Sequence, residues 1–294
     1  MRSRYASCLV AMLCMSFATS CVQAAACDDP PRLRFSLVPQ GDTKKDATAF
    51  QPLLEALERE LGKPVVVIYP DSYDFVVEGL LATRIDLAFL GPASYVSAKN
   101  SDPDIQAFAS YSTRAGAFQQ EGSFYRSLLV VHSTSRYRDS ESLKGAKLAL
   151  VDPVSTSGAV LPRRLFSPLI KATFESYFSR VVYSGGHNKS AAALANRQID
   201  AAFIASNHLS EFIAAGNAAK EDYRVLWQSD PIPLDPFVYR GHLCTPIKES
   251  IRKVFLDEKG EKYPELLARY NAVRLSPVSD DTYSQIRQLL RTTQ

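Results

Sequence analysis

The sequence predicts an α/β protein of two similar lobes that face each other across a cleft. The first observation is an internal repeat, because Ile85–Leu90 recurs as Ile199–Ile204 at an offset of 114 residues. The second is that Tyr73 and His187 each lie 12 residues before their Ile-Asp pair. The third is the alternation of strand and helix patterns, which indicates mostly parallel sheets. Ligands bind beyond the carboxyl ends of such strands, so two facing lobes predict a closable site.

Length and composition are those of an ordinary globular protein. The 294 residues permit one large or two medium domains, and 46% of them are hydrophobic and 22% charged. No segment is of low complexity, and no heptad pattern is present. The part of the sequence after the N-terminal segment has no apolar run long enough to span a bilayer.

The N-terminus has the pattern of a secretory signal peptide. Arg2 and Arg4 form a basic start, Cys8–Phe17 is a short apolar core, and Ala24–Ala26 offers small residues for cleavage. We therefore predict a signal peptide at 1–26 and a soluble, exported protein. Cleavage there lowers the net charge from +3 to +1, which argues against a nucleic-acid partner.

The cysteines leave two alternatives open. Lipid anchoring at Cys21 or Cys27 is the weaker one, since neither has the usual leucine three residues before it. Cleavage before Cys27 leaves only Cys27 and Cys244, and an exported chain with two cysteines can form one disulfide. The other possibility is two unpaired thiols.

Four strands and three helices are predicted in the first part of the chain. The strands are Arg32–Val38, Pro64–Ile68, Asp86–Leu90 and Ile105–Tyr111, and the helices are Ala47–Leu61, Tyr73–Leu81 and one opened by Gly91-Pro92. The first helix is amphipathic, and Gly62 ends it. Proline suits the first turn of the third helix. Asp86 and Asp200 begin buried strands, where we expect them to cap turns.

The second part of the chain repeats this pattern between two crossings. Tyr125–His132 is an apolar strand that crosses into the second lobe, and Phe237–Arg240 returns to the first. Between them lie strands at Lys147–Val151, Arg180–Tyr183, Ala201–Ala205 and Tyr223–Gln228, and helices from about Pro162 and at Lys189–Asn196. The rest is predicted helical, over Pro246–Leu256, Tyr263–Tyr270 and Thr282–Leu290. Lobe 1 is thus assigned to 27–127 and 233–294 and lobe 2 to 128–232, with two hinge strands.

Ser155, Thr156 and Ser157 are the strongest candidates for ligand contact. They follow a predicted strand and precede a helix, with Gly158 next. Three hydroxyls and the backbone N–H groups of a helix start form an anion site, and the positive end of the helix dipole adds attraction. The alternative is an ordinary serine cap. The position at the carboxyl end of a strand favours the anion site.

His187 and two tyrosines are the next candidates. His187 lies at the tip of the loop Gly185-Gly186-His187-Asn188 and can donate to an oxyanion through a ring nitrogen. Tyr73 occupies the equivalent position of the first lobe, and Tyr125 precedes the crossing. Both phenols can donate to an anion while they wall the cleft. The alternatives are an exposed histidine and tyrosines that only pack.

The sequence contains no recognisable catalytic or metal-binding set. It lacks the G-x-S-x-G, H-E-x-x-H and Walker motifs. His132, His208 and His242 are scattered without the spacing of metal ligands. We therefore expect neither a cofactor nor a metal, and no enzymatic activity.

Four motifs together resemble a known family, over essentially the whole mature chain. The chain resembles the periplasmic solute-binding proteins of phosphonate, phosphite and phosphate ABC importers, the PhnD-like family. The motifs are Val38-Pro39-Gln40-Gly41-Asp42, Leu90-Gly91-Pro92-Ala93-Ser94-Tyr95, Asp152-Pro153-Val154-Ser155-Thr156-Ser157-Gly158 and Ser184-Gly185-Gly186-His187. The resemblance implies a type II periplasmic-binding fold. It also implies that the oxyanion is held by Ser155, Thr156, Ser157, His187, Tyr73 and Tyr125.

The resemblance further implies the kind of ligand and partner. In members that bind aminoethylphosphonate, two acids hold the amine, and the matching positions here are Asn207 and Asp235. One acid is thus replaced by an amide, which favours a simpler phosphonate, phosphite or phosphate. The expected partner is a membrane ABC permease that receives the ligand from a monomeric binding protein. A sensor that reports to a signalling receptor and a secreted hydrolase on the same scaffold are the alternatives.

Overall fold

The structure, a computed structural model, describes residues 27–41, 43–256 and 263–291. The predicted signal peptide at 1–26 lies outside the described residues. The described chain forms two lobes, each built on its own sheet with helices packed against it. None of the described helices is long and apolar enough to cross a membrane.

Lobe 1 is built on a six-stranded sheet. Its strands are β1 (Leu33–Leu37), β2 (Val65–Val67), β3 (Leu87–Phe89), β4 (Gln106–Thr113), β12 (Phe237–Tyr239) and β13 (Ala272–Pro277). Their order across the sheet is β13-β4-β12-β3-β1-β2. The strands β2, β1 and β3 are parallel, whereas β12 is antiparallel to both of its neighbours and β13 is antiparallel to β4.

Lobe 2 is built on a five-stranded sheet from the middle of the chain. Its strands are β6 (Ser127–His132), β7 (Lys147–Leu150), β8 (Arg180–Tyr183), β9 (Ala201–Ala205) and β10 (Tyr223–Gln228). Their order is β10-β6-β9-β7-β8. The strands β8, β7 and β9 are parallel, and β6 runs antiparallel between β9 and β10.

The two sheets share one strand order, which confirms the two-lobed fold class predicted from the repeat. Lobe 1 has β2-β1-β3-β12-β4 where lobe 2 has β8-β7-β9-β6-β10. In each sheet the antiparallel strand is the one that follows a crossing from the other lobe. The two crossings pair with each other as a short antiparallel ribbon of β5 (Phe124–Tyr125) and β11 (Ile232–Pro233). The two expected crossings between the lobes are therefore present.

Most helices follow the predicted pattern, but one predicted helix is divided, one segment is of a different type, and α6 and α8 were not predicted. They are α1 (Thr43–Thr48), α2 (Gln51–Leu61), α3 (Tyr73–Leu81), α4 (Pro92–Ser101), α5 (Ser167–Ile170), α6 (Phe174–Tyr177), α7 (His187–Ala195), α8 (Ser206–Ala214), α9 (Thr245–Leu256), α10 (Pro264–Arg269) and α11 (Ser284–Arg291). The single helix predicted over Ala47–Leu61 is divided into α1 and α2, because Pro52 lies in the first turn of α2, where a new helix begins. Before α5 the chain forms two π-helical turns, Thr156–Val160 and Pro162–Phe166.

The strand β13 was not predicted, since the sequence after Pro246 is expected to be helical. It is the edge strand of lobe 1 and pairs only with β4. Most of its side chains are exposed or half-buried, so it lacks the apolar run of a central strand. Its backbone joins the sheet because β4 offers an unpaired edge there. The position of that edge follows from the tertiary structure and not from the local sequence.

Asp86 and Asp200 have equivalent roles in the two lobes. The backbone N–H of Arg34 in β1 donates to the carboxylate of Asp86 over 2.8 Å, and that of Lys147 in β7 donates to Asp200 over 2.7 Å. Asp86 is also paired with the guanidinium groups of Arg34 and Arg240, each over 2.7 Å. The expected turn-capping role is therefore replaced by one that joins neighbouring strands.

Aromatic rings pack against one another in the core of lobe 1, and a disulfide holds Cys27, the first described residue, to the same lobe. Phe50 contacts the rings of Phe35 and Phe237 at 5.1 and 6.0 Å between centroids. Cys27 and Cys244 form a disulfide across a sequence separation of 217 residues. A cross-link over so long a loop removes much of the conformational freedom of the unfolded chain.

Candidate functional site

A small cavity lies between the lobes, at the carboxyl ends of the parallel strands. Its walls come from both sheets, since the turns after β1, β3, β7 and β9 all contribute. This is the position at which open α/β sheets bind ligands. The lining residues are Gln40, Tyr73, Gly91, Tyr125, Ser155, Thr156, Ser157, His187, Ala205, His208 and Asp235.

The turn after β7 presents hydroxyl groups to this cavity at the start of a helical segment. Ser155, Thr156 and Ser157 are each 1–2% exposed, so their hydroxyls are shielded from bulk water. The Ser155 hydroxyl accepts from the backbone N–H of Gly158 over 3.3 Å and so caps the segment. The cap and the anion site are therefore compatible, because a hydroxyl that accepts from the backbone still has its own proton to donate.

His187 is the first residue of α7, and its tautomer follows from one hydrogen bond. The backbone N–H of Ala205 donates to Nδ1 over 3.1 Å, so Nδ1 is an acceptor and the proton of the neutral ring is on Nε2. Nε2 lies 3.4 Å from the Ser157 hydroxyl. Burial, helped by nearby His208, lowers the pKa of His187 well below its usual value. His187 is thus a neutral N–H donor that is aimed at the serine turn.

Tyr73 and Tyr125 close the cavity from the side of lobe 1 and the ribbon. Both phenols are buried, at 2% and 4% exposure. Burial raises the pKa of each, and the charge of Asp235 raises both further. The two groups are therefore protonated at neutral pH and can donate hydrogen bonds into the cavity.

Asp235 places a carboxyl group in the same cavity. It is 6% exposed, and among the described residues no hydrogen bond to its carboxylate is formed. Burial raises the pKa of Asp235 to about 7, while His208 opposes the rise and Glu211 adds to it. The group thus exchanges its proton close to neutral pH, beside the hydroxyls that form the rest of the wall.

Asp235→Asn is expected to stabilise the unliganded protein at pH 8. Folding raises the pKa of this carboxyl group, so its favourable contribution is present below about pH 4 and is lost as pH rises to about 7. A shift of this size corresponds to at most about 4 kcal/mol. We expect the variant to gain about 1–4 kcal/mol in free energy of unfolding at pH 8. Denaturant titrations at pH 4 and pH 8 test this, and a gain of equal size at both pH values would contradict it.

His208 lies beside His187 in a different charge environment. The two rings stack with centroids 5.1 Å apart and planes inclined by 16°. Nδ1 of His208 contacts a carboxylate oxygen of Glu211 over 3.1 Å, and both residues are buried. Although burial by itself lowers it, the charge and hydrogen bond of Glu211 raise the pKa of His208 above its usual value.

Backbone contacts join the lobes directly around the cavity. The N–H of Tyr73, at the start of α3, donates to Asp152 of lobe 2 over 3.4 Å. The N–H of Ala93, at the start of α4, donates to the Thr156 hydroxyl over 2.8 Å. The N–H of Asn188 donates to the carbonyl of Gln40 over 3.1 Å. The lobes are therefore closed on each other in this structure.

The structure brings together seven of the eight predicted ligand contacts, with Asn207 as the exception. Asn207 is buried in α8, where its amide donates to the Tyr111 hydroxyl over 3.4 Å, and it does not line the cavity. The prediction did not include Gln40, Gly91, Ala205 or His208 as contacts. Gln40 and Gly91 lie in motifs that carried the resemblance. His208 follows the carboxyl end of β9, and that position was the available signal.

Metal binding has no support from the described part of the chain. No group of three or more histidine, cysteine or acidic side chains there could hold a metal ion. The cavity instead offers hydroxyl, phenol and imidazole donors, which is the chemistry of an anion site.

Comparisons with known proteins identify the family of the chain. Residues 35–283 match the family described as "ABC transporter, phosphonate, periplasmic substrate-binding protein". The phosphate-import protein PhnD of Mycolicibacterium smegmatis is 25% identical, over 90% of this chain and 86% of its own. The phosphonates-binding periplasmic protein of Escherichia coli is 26% identical, over 93% and 80%.

Solved structures share the fold. A binding protein component of an ABC phosphonate transporter from Pseudomonas aeruginosa superimposes with a TM-score of 0.79, at 23% identity, over 89% of this chain and 86% of its own. PhnD1 from Prochlorococcus marinus, solved with methylphosphonate, has a TM-score of 0.76 at 18% identity, over 90% and 98%. Because the family match covers most of the sequence, the chain belongs to the periplasmic substrate-binding proteins of phosphonate ABC transporters.

Proposed function

We propose that this chain is an exported, monomeric solute-binding protein that captures a small phosphorus oxyanion between its lobes and delivers it to a membrane ABC permease. The observation that supports this most is the hydroxyl turn Ser155–Ser157, which faces the Nε2–H of His187 in a buried interlobe cavity. Four kinds of neutral donor converge there: serine and threonine hydroxyls, two phenols and an imidazole. Such donors hold an oxyanion without a covalent step, so the proposal includes no catalysis.

The chain's relatives support the same ligand class. The curated relatives carry names that refer to phosphate import and to phosphonate binding, and one similar structure was solved with methylphosphonate. Phosphate and methylphosphonate are both small tetrahedral oxyanions of phosphorus. The ribbon of β5 and β11 is the proposed hinge, because both crossings between the lobes pass through it. Bending there opens the cavity to solvent and closes it over the ligand.

We expect phosphite, phosphate or methylphosphonate to bind more tightly than aminoethylphosphonate. A buried ammonium group needs charged partners, whereas Asn207, which the resemblance places beside the amine, is a neutral amide that donates to the Tyr111 hydroxyl outside the cavity. Among the described lining residues Asp235 is the one carboxylate. Calorimetry with each ligand at pH 7 measures the order. Tighter binding of the amine-bearing ligand would overturn the expected preference.

A thermal-shift screen identifies the oxyanion itself. A ligand that binds only the folded state raises its stability by RT ln(1 + [L]/Kd), which is about 2.7 kcal/mol at 100 times Kd. The screen compares phosphite, phosphate and methylphosphonate with sulfate and with chloride as a control. A protein whose melting temperature responds to none of the phosphorus oxyanions would refute the proposed function.

A further inference from the structure

The cavity that would hold an oxyanion contains neither lysine nor arginine among its described lining residues. The lining side chains that can carry charge are His187, His208, Asp235 and the two weakly acidic tyrosines. Removal of a multiply charged anion from water is costly unless it is paired. The hydroxyls of the serine turn are neutral, so they do not supply the positive charge that such an anion needs.

The two stacked imidazoles are held in different protonation states by their partners. A backbone N–H occupies Nδ1 of His187, so an added proton there would break that hydrogen bond. A carboxylate occupies Nδ1 of His208, so that nitrogen has a partner that favours its proton. Two cationic rings 5.1 Å apart would also repel each other. The geometry therefore gives one neutral ring and one ring that is suited to carry the charge.

A chain of buried charges holds His208 in place from the opposite lobe. Glu211, which contacts His208, is also paired with Arg269 over 3.2 Å. Arg269 belongs to α10 of lobe 1 and is paired in turn with Asp46 of α1 over 2.5 Å. The side chains of Glu211 and Asp46 are only 5% and 3% exposed, so these charges are poorly screened by water. The series from Asp46 to His208 thus runs across the lobe interface to the cavity.

We propose that His208 is the positively charged residue of the oxyanion site and that Glu211, held by Arg269 and Asp46 across the lobe interface, positions it. This inference rests on the proposed function and adds the charge to which the ligand responds. His187 and the hydroxyls then supply directional hydrogen bonds, and His208 supplies the electrostatic attraction.

The proposal predicts that oxyanion affinity falls as pH rises. The charged groups that act on His208 are Glu211 and Asp235, which favour its cationic form, and Arg269, which opposes it. His187 stacks on its face as a neutral ring. Because Glu211 raises the pKa of His208, the cation is present at pH 6 and is lost at higher pH. Loss of the Asp235 proton near pH 7 acts in the same direction, so a variant at position 208 is needed to separate the two effects.

The protonation states can be measured without any ligand. Nitrogen-15 NMR of the imidazoles should show His208 with protons on both nitrogens at pH 6, and His187 neutral with its proton on Nε2. The His208→Gln variant assigns the signals. In Glu211→Gln the His208 resonance should titrate at lower pH than in the wild type, an effect that a purely structural role of Glu211 would not produce. A neutral His208 ring in the wild-type protein at pH 6 would overturn the proposal.

Binding of phosphite then tests the role of the charge. We expect His208→Gln to weaken binding about 10- to 100-fold at pH 6, because loss of the charged partner should cost about as much as loss of one hydrogen bond to a charged group. The loss should become smaller as pH rises through the His208 titration that NMR measures, and the ratio of variant to wild type at each pH cancels the ionisation of phosphite itself. His242→Gln, at an exposed histidine, is the matched control and should bind like the wild type.

The outcomes separate this inference from the proposed function. A wild-type protein that binds no phosphorus oxyanion refutes the function, while the NMR titration still decides the charge of His208. A His208→Gln variant that binds phosphite within twofold of the wild type at pH 6 refutes the role of His208 and leaves the function standing. Thermal unfolding of each variant verifies that the lobes remain folded.

Discussion

Replacement of both Ser155 and Ser157 by alanine is expected to weaken oxyanion binding by about two to four powers of ten. Each hydroxyl is a buried donor beside the cavity, and a hydrogen bond to a charged group contributes about 1.5–3 kcal/mol. The range assumes that the two losses are roughly additive, although neighbouring donors can couple. Calorimetry or competition with a labelled phosphonate measures the change.

The result is interpreted with two further measurements, the affinity of Tyr73→Phe and the stability of the unliganded double variant. Tyr73→Phe removes a single phenol donor from the other lobe, so a smaller loss is expected, mostly through faster release. The unliganded double variant should lose about 1 kcal/mol of stability, because Ser155 also caps the helical segment. If the double variant binds the oxyanion normally, the turn is only a cap and the site is wrongly placed.

A methyl group at position 186 is expected to prevent complete closure of the lobes. A Cβ on Gly186 would lie 2.7 Å from the carbonyl oxygen of Gln40 and 3.2 Å from the backbone nitrogen of Gly41, both in lobe 1. These are backbone atoms and cannot rotate away. The φ of Gly186 is 172°, an extended value that alanine also adopts, so the substitution is not strained within lobe 2 itself.

We therefore expect Gly186→Ala to bind the oxyanion about 10- to 100-fold more weakly, since overpacked contacts typically cost about 1–3 kcal/mol. Gly41→Ala is the graded comparison, because its Cβ would meet the Asn188 side chain at 3.1 Å and the loss should be smaller. Small-angle scattering with and without ligand reports closure. Normal affinity and full compaction of Gly186→Ala would show that the lobes do not need this contact.

The internal repeat was enough to predict the architecture. Ile85-Asp86 and Ile199-Asp200 directly precede the equivalent strands β3 and β9, and Tyr73 and His187 are each the first residue of the helix before that strand. Local pattern carries this information because strand and helix periods depend on the order of apolar residues along the chain. The strand β13 escaped prediction for the complementary reason, since an exposed edge strand has no strong apolar period.

Ligands bind beyond the carboxyl ends of parallel strands, and this rule was enough to select most residues of the candidate site. Four of the cavity residues follow strand ends in the sequence: Ser155, Thr156, Ser157 and His187. Parallel strands end at the same edge of a sheet, so the fold brings such residues together. Tyr73 was selected by its place in the repeat and Tyr125 by its place before the crossing. The resemblance added Asn207 and Asp235, of which only Asp235 lines the cavity.

Only the tertiary structure decided how charge is distributed in the cleft. The charge of His208 depends on Glu211, three residues away in α8, and Glu211 is paired in turn with Arg269, which is 58 residues further along the chain and in the other lobe. Glu211 is close to His208 in the sequence, but nothing local to either residue indicates the pairing with Arg269. A buried ionisable group takes its charge state from the groups that surround it in space, so the sequence alone determined which donors line the cleft, and the packing of the two lobes decided which of them carries charge.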